Sequence, residues 1–473
     1  MDALTRHTTM RFTLQPTAAQ EQNLWRHAGA ARFGFNQALR LVKDGLEARK
    51  ADSHVRVPWS GFDLINAFNR WKRSSAAGVD ERGNPGLPWR GEVTQQVFEE
   101  AAVDLGRGLQ SFSSRRKAGS RAAGFPRFKK RSDPRQSFRI RNKTTGGKAT
   151  IEIGSAGQVR SIRLPKIGVL VVRECTRKLR RMLRGERAKI LFATISHHTG
   201  GRWIVCLNLE AAALHPALRH DGGGTSAAPV GIDRGLRTFA VLADATGREL
   251  ERIDAPRPLR KELRRLRKLS RSVSRKKKGS QNRRRARMRL ARLHQRIGNV
   301  RRAFVHRESS RLAQTHGHLV LETLSTAGLM RTRMARSLAD SAWAMFAQVL
   351  GYKLAWRGGR LTLADRFFPS TRRCSACGHV GEAVTLSERR FRCSSCRHEV
   401  DRDTNAAACL AQYPGVQWPP VAAKQAETRN VCREESAGAW VGPMRETLLD
   451  EAERASARRP WRAVLAARTV NTL

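Results

Sequence analysis

The chain has 473 residues, too many for one ordinary domain, and its 40% apolar content suffices for a buried core although 28% of the residues are charged. Lys and Arg number 91 against 40 Asp and Glu, which leaves a formal net charge of +51. Such self-repulsion destabilises a compact protein unless a polyanion offsets it, so the composition predicts a nucleic-acid partner.

Membrane association and secretion are the alternatives to consider for so basic a chain. The sequence holds no apolar run of about 18 residues, and its opening MDALTRHTTMRF lacks the features of a signal peptide. Of the eight cysteines, four are scattered and four lie close together, which is typical of a metal site in a reducing compartment. We therefore expect a cytoplasmic protein that acts without a membrane and joins the nucleoid when it binds DNA.

The N-terminal half predicts a helical region followed by a small β-domain. A strand-like stretch falls within residues 1–16, and residues 17–123 are predicted to be mainly helical, starting at a Thr-x-x-Gln capping box. A plain helical bundle is the alternative for this region. Residues 124–220 contain short β-like runs with Gly-rich turns, which predict a small barrel or sandwich, and residues 221–229 predict a linker.

The C-terminal half predicts an α/β domain with a basic helical insertion. Residues 230–370 begin with two strands joined by a tight turn, and later β-runs and helical patterns complete the alternation. Within them, residues 257–300 carry 19 Lys or Arg but keep apolar stripes at helical spacing, which predicts a basic helical hairpin facing phosphates. Three segments remain. The cysteine cluster lies at residues 371–397, the end of the α/β domain at residues 398–413, and a tail expected to be flexible at residues 414–473.

The cysteine cluster predicts a zinc ribbon. Fifteen residues separate two CxxC pairs, Cys374 with Cys377 and Cys393 with Cys396. Two such turns each place two thiolates around one metal ion, and four thiolates complete the tetrahedral shell that Zn²⁺ prefers. We expect one structural Zn²⁺ ion, with the nearby His379 and His398 outside its shell.

Three acidic residues stand where a structural role alone is costly. Asp233 ends an apolar β-run, Glu322 follows the apolar run of a second strand, and Asp403 lies where a turn becomes a helix. Each alone could be an ordinary strand-end or helix-cap acid. Together they could bind two Mg²⁺ ions about 3.5–4 Å apart, the arrangement that hydrolyses DNA. Asp401 competes with Asp403 for the third position, and spacing does not decide between them.

Several motifs, taken in order, resemble the TnpB family encoded by insertion sequences and the related compact type V CRISPR nucleases. The most specific are GIDRGLRTFAVLAD, LVLETLSTAGLM, RFFPSTRRCSACGHV, FRCSSC and DRDTNAA. Weaker matches extend the resemblance forward, namely FTLQPTAAQEQNLW, ARFGFNQAL, GFPRFKK and RLPKIG. The resemblance covers about Met10 to Gln412 and leaves the tail outside it.

The resemblance implies a multidomain α/β architecture. Residues 230–370 and 398–413 would form an RNase H-like (RuvC) nuclease core with the zinc ribbon inserted before its end. Residues 1–16 and 124–220 would form a β-barrel-like wedge domain, into which the helical recognition region 17–123 is inserted.

The resemblance also implies an activity. The chain would be an RNA-guided DNA endonuclease whose catalytic, magnesium-binding residues are Asp233, Glu322 and Asp403, a choice that excludes Asp401. Its partners would be a guide RNA and target double-stranded DNA, with the protein reading a short flanking DNA motif and the basic hairpin near the guide–target duplex. We expect a monomer in the complex, with a homodimer as the alternative.

Two other functions compete with the nuclease. The second motif has Thr323 after Glu322 where the family usually has Asp, so an inactive RNA-guided DNA-binding repressor is one alternative. A transposase of the RNase H-like class, using a similar carboxylate triad, is the other. Thr94, Gln95 and Gln96 are candidates for contacts to base edges or for solvated polar residues of a helix.

Overall fold

We describe the fold from a computed structural model of the chain. The described residues are 5–119, 124–133, 135–145, 148–154, 157–198, 200–220, 228–324, 326–332, 334–382 and 388–414. The predicted linker and tail lie almost entirely outside these ranges. None of the helices within them is both long enough and apolar enough to cross a lipid bilayer.

The N-terminal half contains nine strands and four α-helices among its described residues. In chain order they are β1 (Thr5–Gln15), α1 (Ala18–Ala51), α2 (Gly61–Arg73), α3 (Gln96–Lys117), β2 (Gln136–Arg141), β3 (Thr144–Thr145), β4 (Lys148–Ala149), β5 (Glu152–Ile153), β6 (Ser161–Leu164), β7 (Gly168–Val172), α4 (Arg177–Arg184), β8 (Ala188–His198) and β9 (Arg202–Ala212). A strand, a helical region and then further strands follow one another, as the sequence predicts, but the short helix α4 between β7 and β8 was not predicted.

The C-terminal half alternates strands and helices. In chain order they are β10 (Val230–Asp233), β11 (Thr238–Asp244), β12 (Glu249–Asp254), α5 (Pro258–Ser274), α6 (Gln281–Thr315), β13 (His318–Glu322), α7 (Thr326–Leu329), α8 (Ala335–Ser341), α9 (Trp343–Trp356), β14 (Arg360–Ala364), β15 (Arg390–Arg392), β16 (Glu399–Asp401) and α10 (Arg402–Ala411).

Seven strands of the N-terminal half form one sheet in the order β2-β8-β9-β1-β7-β6-β5. The strand β1 joins its two parts, because most of β1 pairs with β9 while Leu14 and Gln15 pair with β7. Buried side chains of these strands and of α1 and α3 form a single apolar core. A second core lies between the three helices, so the helical region packs on the sheet and on itself rather than forming a separate bundle.

The helix starts in this half show how local chemistry sets the boundaries. The capping box before α1 is confirmed, since the Thr17 side chain accepts from the Gln20 backbone and Gln20 accepts from the Thr17 backbone. The sequence pattern places a second helix at roughly Val93 to Phe112, but the helix begins at Gln96, after a short 3₁₀ turn over Pro88–Gly91. The pattern also places a single β-run at residues 149–153, whereas the structure has two separate short strands there.

The C-terminal half is built on a five-stranded sheet in the order β12-β11-β10-β13-β14. The strands β10, β13 and β14 run parallel, whereas β10, β11 and β12 are antiparallel neighbours. Helices α6 and α9 cover one face through an apolar core that includes Phe239, Phe304 and Phe346. Helix α10 covers the other face, next to Ala243, Val320 and Ala364.

The basic hairpin is confirmed as two helices, α5 and α6. Ser280 caps α6 by accepting from the Arg283 backbone at 3.2 Å, and Val273, Ala286 and Leu290 form the small apolar contact between the helices. Helix α6 continues to Thr315, beyond the predicted end, because its second half packs in the core of the five-stranded sheet. The hairpin is therefore anchored to that sheet at one end.

Two further elements differ from what the sequence pattern indicates. The apolar run from His318 to Leu324 predicts a strand, which ends at Glu322, and the helical pattern from about Ser341 to Trp356 corresponds to a helix that starts at Trp343. Ala342 has a positive φ of 54° and separates α9 from the short helix α8. A left-handed residue of this kind breaks the helix without any Gly or Pro in the sequence to signal it.

Candidate functional site

Two of the three predicted acids lie at the carboxyl ends of neighbouring parallel strands. Ile232 of β10 pairs with Leu321 of β13, so the next residues, Asp233 and Glu322, end the two strands side by side. Glu322 is in turn opposite Ala364 of β14. Ligands commonly bind at this edge of open α/β sheets.

Helix α10 brings the third acid to the same edge. Side chains alternate between the two faces of a strand, so Asp233 shares a face with Gly231, and Glu322 shares it with Val320. This is the face that α10 covers. A Cβ atom on Gly231 would lie 1.8 Å from the carbonyl oxygen of Ala407, so only glycine allows such close packing.

The three acids interact electrostatically. Burial raises the pKa of Asp233 to about 8, with further contributions from the negative charges of Glu322 and Asp403. Burial also raises the pKa of Glu322, while Arg234 acts in the opposite direction. The fold therefore concentrates negative charge at a place where water is largely excluded.

Asp401 and Asp403 have different surroundings. One carboxylate oxygen of Asp401 accepts from the backbone nitrogens of Asp403 and Thr404 at 3.0 and 3.2 Å, so Asp401 caps α10. Arg252 also pairs with Asp401 at 3.1 Å. Asp403 is mostly buried, within 3.5 Å of Arg402, and acts on Asp233. Asp401 therefore caps the helix, whereas Asp403 lies close enough to Asp233 to raise its pKa.

Arg234 is a residue of the site that the sequence interpretation missed. It is 7% exposed, and its guanidinium donates to the carbonyl oxygen of Glu322 and lies 6.0 Å from the ring centroid of Trp343. Its positive charge opposes the rise in the pKa of both Asp233 and Glu322 that burial causes. The only signal in the sequence is its position directly after Asp233.

The carboxylates fit a site for hard divalent cations. Carboxylate oxygens are the ligands that Mg²⁺ takes from proteins, and unrelieved repulsion within the cluster favours a cation. Among the described residues, only the four cysteines form a group of three or more ligand side chains whose atoms all lie within 4.8 Å of one another. Within the described residues the three acids do not form such a group.

The four cysteines meet at one point. The Sγ atoms of Cys374 and Cys396 are 3.7 Å apart, and those of Cys377 and Cys393 are 3.6 Å apart. Each pair sits on a tight turn that a backbone hydrogen bond closes. The backbone nitrogen of Cys374 donates to the His379 carbonyl at 2.8 Å, and that of Cys393 donates to the His398 carbonyl at 2.9 Å. The cluster of four thiols fits a tetrahedral Zn²⁺ ion, and both histidines stay outside it.

Asn405 connects the cysteine cluster to α10 and was not singled out from the sequence, although it lies in the motif DRDTNAA. It is fully buried; its side chain accepts from the Ser375 backbone at 2.9 Å and donates to the Arg373 carbonyl at 2.7 Å. These two residues flank Cys374. Strand β16 also runs directly into α10, so the position of the cysteine cluster fixes the turn that carries Asp403.

The polar residues at the start of α3 are engaged inside the protein. The Gln95 side chain bonds to Lys72 and Asn69, and the Gln96 side chain accepts from the Arg141 backbone at 2.8 Å. Thr94 bonds to His27. Gln95 remains exposed, as expected of a solvated polar residue, whereas Thr94 and Gln96 are half-buried and bonded to other parts of the domain.

Three family models match the sequence. The model of the IS605 OrfB family, described as a probable transposase, matches residues 224–333. A Cas12f1-like TNB domain matches residues 343–410, which include the cysteine cluster and α10. A helix-turn-helix domain of the same OrfB family matches residues 1–51.

Similar proteins and a similar structure span most of the chain. Two similar proteins are both named "Putative RNA-guided DNA endonuclease". The one from Mycobacterium tuberculosis is 34% identical over 87% of this chain and 88% of its own length. The one from Escherichia coli is 27% identical over 84% of this chain and 90% of its own length. The structure of a Cas12f1 protein with single-guide RNA and target DNA aligns with a TM-score of 0.52 and 12% identity, over 87% of this chain and 99% of that one. At this identity the structural likeness shows a shared mixed α/β fold. The chain therefore belongs to the IS605 OrfB (TnpB) family, as the sequence motifs indicate.

Proposed function

We propose that the protein is an RNA-guided DNA endonuclease that hydrolyses its target in a magnesium-dependent RuvC-like site. The observation that carries this proposal is the meeting of Asp233, Glu322 and Asp403 at one edge of the five-stranded sheet, with the pKa of Asp233 raised by burial and by the other two. Family membership and the net charge of +51 support nucleic acid as the substrate.

Each residue of the site has a distinct role in this proposal. Bound Mg²⁺ would supply the Lewis acidity that lets water attack a phosphodiester and leave 5′-phosphate and 3′-hydroxyl ends. Asp233, Glu322 and Asp403 would hold the ions. Arg234 fixes the end of β13 by its bond to the Glu322 carbonyl, and its positive charge partly offsets the rise in the pKa of Asp233 and Glu322.

The cysteine cluster would hold a structural Zn²⁺ ion. Support comes from four Sγ atoms within 4.8 Å of one another and from the tight turns that present them. In this proposal residues 371–397 are a zinc ribbon inserted in a nuclease core of residues 230–370 and 398–413. Residues 1–16 and 124–220 form a wedge domain that carries the recognition helices 17–123.

A guide RNA and target double-stranded DNA are the proposed partners. The similar Cas12f1 structure contains single-guide RNA and target DNA, and this chain is similar to it over most of its length. The exposed basic face of α5 and α6 supplies charge suited to the phosphates of a guide–target duplex. The guide supplies sequence specificity by base pairing.

Purification of the protein with its bound RNA tests the proposal. The RNA is sequenced, and DNA matching its variable end is incubated with the complex, with and without Mg²⁺. We expect cleavage that requires both the matching RNA and Mg²⁺. Guided binding without cleavage would support a repressor instead, and strand-transfer products formed without RNA would support a transposase.

A further inference from the structure

The turn after β14 presents an aromatic ring to solvent. Phe367 is 84% exposed, more than any other large apolar side chain in the described ranges, where Phe62 follows at 72%. The next residue, Phe368, turns inward instead and packs against Tyr413 with ring centroids 4.9 Å apart. Phe368 therefore anchors the turn, while Phe367 adds nothing to the core.

The turn fixes the backbone that carries this ring. The backbone nitrogen of Phe367 donates to the Asp365 carboxylate at 2.8 Å, and that of Phe368 donates to the Asp365 carbonyl at 3.1 Å. The Asp365 backbone donates in turn to the Tyr413 hydroxyl at 3.2 Å. A ligand that covers the ring therefore meets a backbone that is already ordered, which lowers the entropic cost of binding.

The ring lies at the edge of the sheet that carries the carboxylates. Ala364 is the strand partner of Glu322, and its carbonyl accepts from the backbone and hydroxyl of Thr323 at 3.2 and 2.6 Å. Three residues of chain span at most about 11 Å, which limits the distance of Phe367 from that pair. Phe367 is therefore close enough to Glu322 for a DNA strand held at the carboxylates to extend to the ring.

The surroundings of the ring match a nucleic-acid strand. The Arg366 guanidinium lies 5.7 Å from the centroid of the Phe367 ring, and Arg372 is exposed nearby in the chain. Proteins that bind single strands combine aromatic rings, on which bases stack, with cations that contact phosphates. Bases inside a duplex are already stacked on their neighbours, so an exposed ring of this kind suits an unpaired strand.

We propose that Phe367 is a stacking platform for a nucleobase of the unpaired DNA strand that enters the carboxylate site. The proposal rests on the proposed function and deepens it, since it names the residue that sets where the strand lies relative to Asp233. Stacking of one base on an aromatic side chain contributes about 1–3 kcal/mol. Its loss corresponds to a fall of roughly 5- to 150-fold in the kcat/KM for cleavage.

Two readouts test the platform. Single-turnover cleavage is compared for the wild type, Phe367→Ala, Phe367→Trp and the control Leu250→Ala, whose side chain is 40% exposed on the opposite edge strand β12. In an Asp233→Ala background, 2-aminopurine at successive positions of the DNA strand reports stacking by its fluorescence. We expect Phe367→Ala to lower cleavage and to raise the fluorescence at one position, Phe367→Trp to preserve both properties, and Leu250→Ala to behave like the wild type.

The outcomes separate this proposal from the proposed function. The fluorescence assay is repeated with a free single-stranded oligonucleotide and the protein as purified, so stacking is scored even if the wild type does not cut guided DNA. Equal fluorescence for the wild-type residue and for Phe367→Ala, both with the free oligonucleotide and in the guided complex, would overturn the proposal of a stacking platform. Absence of guided cleavage by the wild type, with the fluorescence difference intact, would count against the nuclease alone.

Discussion

Asp401 and Asp403 illustrate how neighbouring acids of one motif acquire different roles. Asp401 caps α10 and pairs with Arg252, whereas Asp403 lies in the first turn of the helix and acts on Asp233. Spacing along the chain does not separate these roles, because both residues precede the same helix. Family resemblance selects Asp403, and its electrostatic effect on Asp233 supports that choice.

Exchange of each acid for its amide tests this division. Asn caps helices about as well as Asp, so Asp401→Asn should leave cleavage within a few-fold of the wild type. Asp403→Asn removes a charge from the site and should lower cleavage by more than about 100-fold. Mutation of residues that only hydrogen-bond to metal ligands already lowers metal affinity or activity by about 10- to 100-fold, and loss of a ligand should cost more. Single-turnover assays with guide RNA compare the two variants. A larger loss in Asp401→Asn would reverse the assignment.

The raised pKa of Asp233 predicts a pH dependence. The pKa is about 8 in the folded protein against 3.8 as its ordinary value, so the folded state holds an extra proton between these pH values. Stability without Mg²⁺ should therefore be highest at low pH and fall as the pH rises toward 8. Cation binding needs the ionised acid, so the apparent affinity for Mg²⁺ should increase over the same range.

Thermal unfolding without Mg²⁺ at several pH values measures this effect. Asp233→Asn removes the titrating group and should be more stable than the wild type at pH 8, with a smaller difference at low pH. A wild type that gains stability relative to Asp233→Asn as pH rises would contradict the raised pKa. Mg²⁺ titrations at pH 6.5 and 8.5 supply the second measurement.

At the scale of elements, the close packing of α10 on β10 positions the site. The glycine at position 231 permits this packing, since a Cβ there would meet the Ala407 carbonyl at 1.8 Å. Neither strand pattern nor helix pattern predicts such an approach between distant segments. The strands and the basic hairpin were predictable because alternation and apolar stripes are local properties of the chain.

Gly231→Ala should displace α10 and with it Asp403. We expect a loss of stability of about 1–3 kcal/mol, typical of overpacking, together with a large loss of cleavage. Gly298→Ala is the matched control, because a Cβ on Gly298 in α6 meets nothing within 4 Å and alanine favours helix. Unfolding curves and cleavage rates are measured for both. Wild-type behaviour of Gly231→Ala would show that α10 need not lie as described.

The cysteine cluster is the second element that fixes Asp403. Cys374→Ser should release zinc and lower cleavage, because Cys374 lies between the two residues that Asn405 binds. Asn405→Ala leaves two buried backbone groups without their partner, at a cost of about 1–3 kcal/mol for each. We expect it to lower cleavage while zinc is retained. Metal content and cleavage are measured together, and full activity of zinc-free Cys374→Ser would make the cluster dispensable.

At the scale of the whole molecule, charge and family resemblance carried most of the functional inference. The net charge of +51 predicted a polyanion, and the thiol spacing predicted the cluster of four cysteines that the structure brings together. Convergence of Asp233, Glu322 and Asp403 could not follow from spacing, since 170 residues separate the first from the last and only the fold closes that distance. The role of Arg234 likewise depends on a neighbouring strand.

We propose that Asp233, Glu322 and Asp403 perform guided DNA hydrolysis. A comparison of DNA binding with DNA cleavage in one variant tests this proposal. The wild type and Asp233→Ala, each with the same guide RNA and Mg²⁺, are assayed on matched DNA for binding by gel shift and for cleavage. We expect Asp233→Ala to bind the guided target as the wild type does and to leave it uncut. Cleavage by Asp233→Ala, or a loss of binding equal to the loss of cleavage, would contradict it.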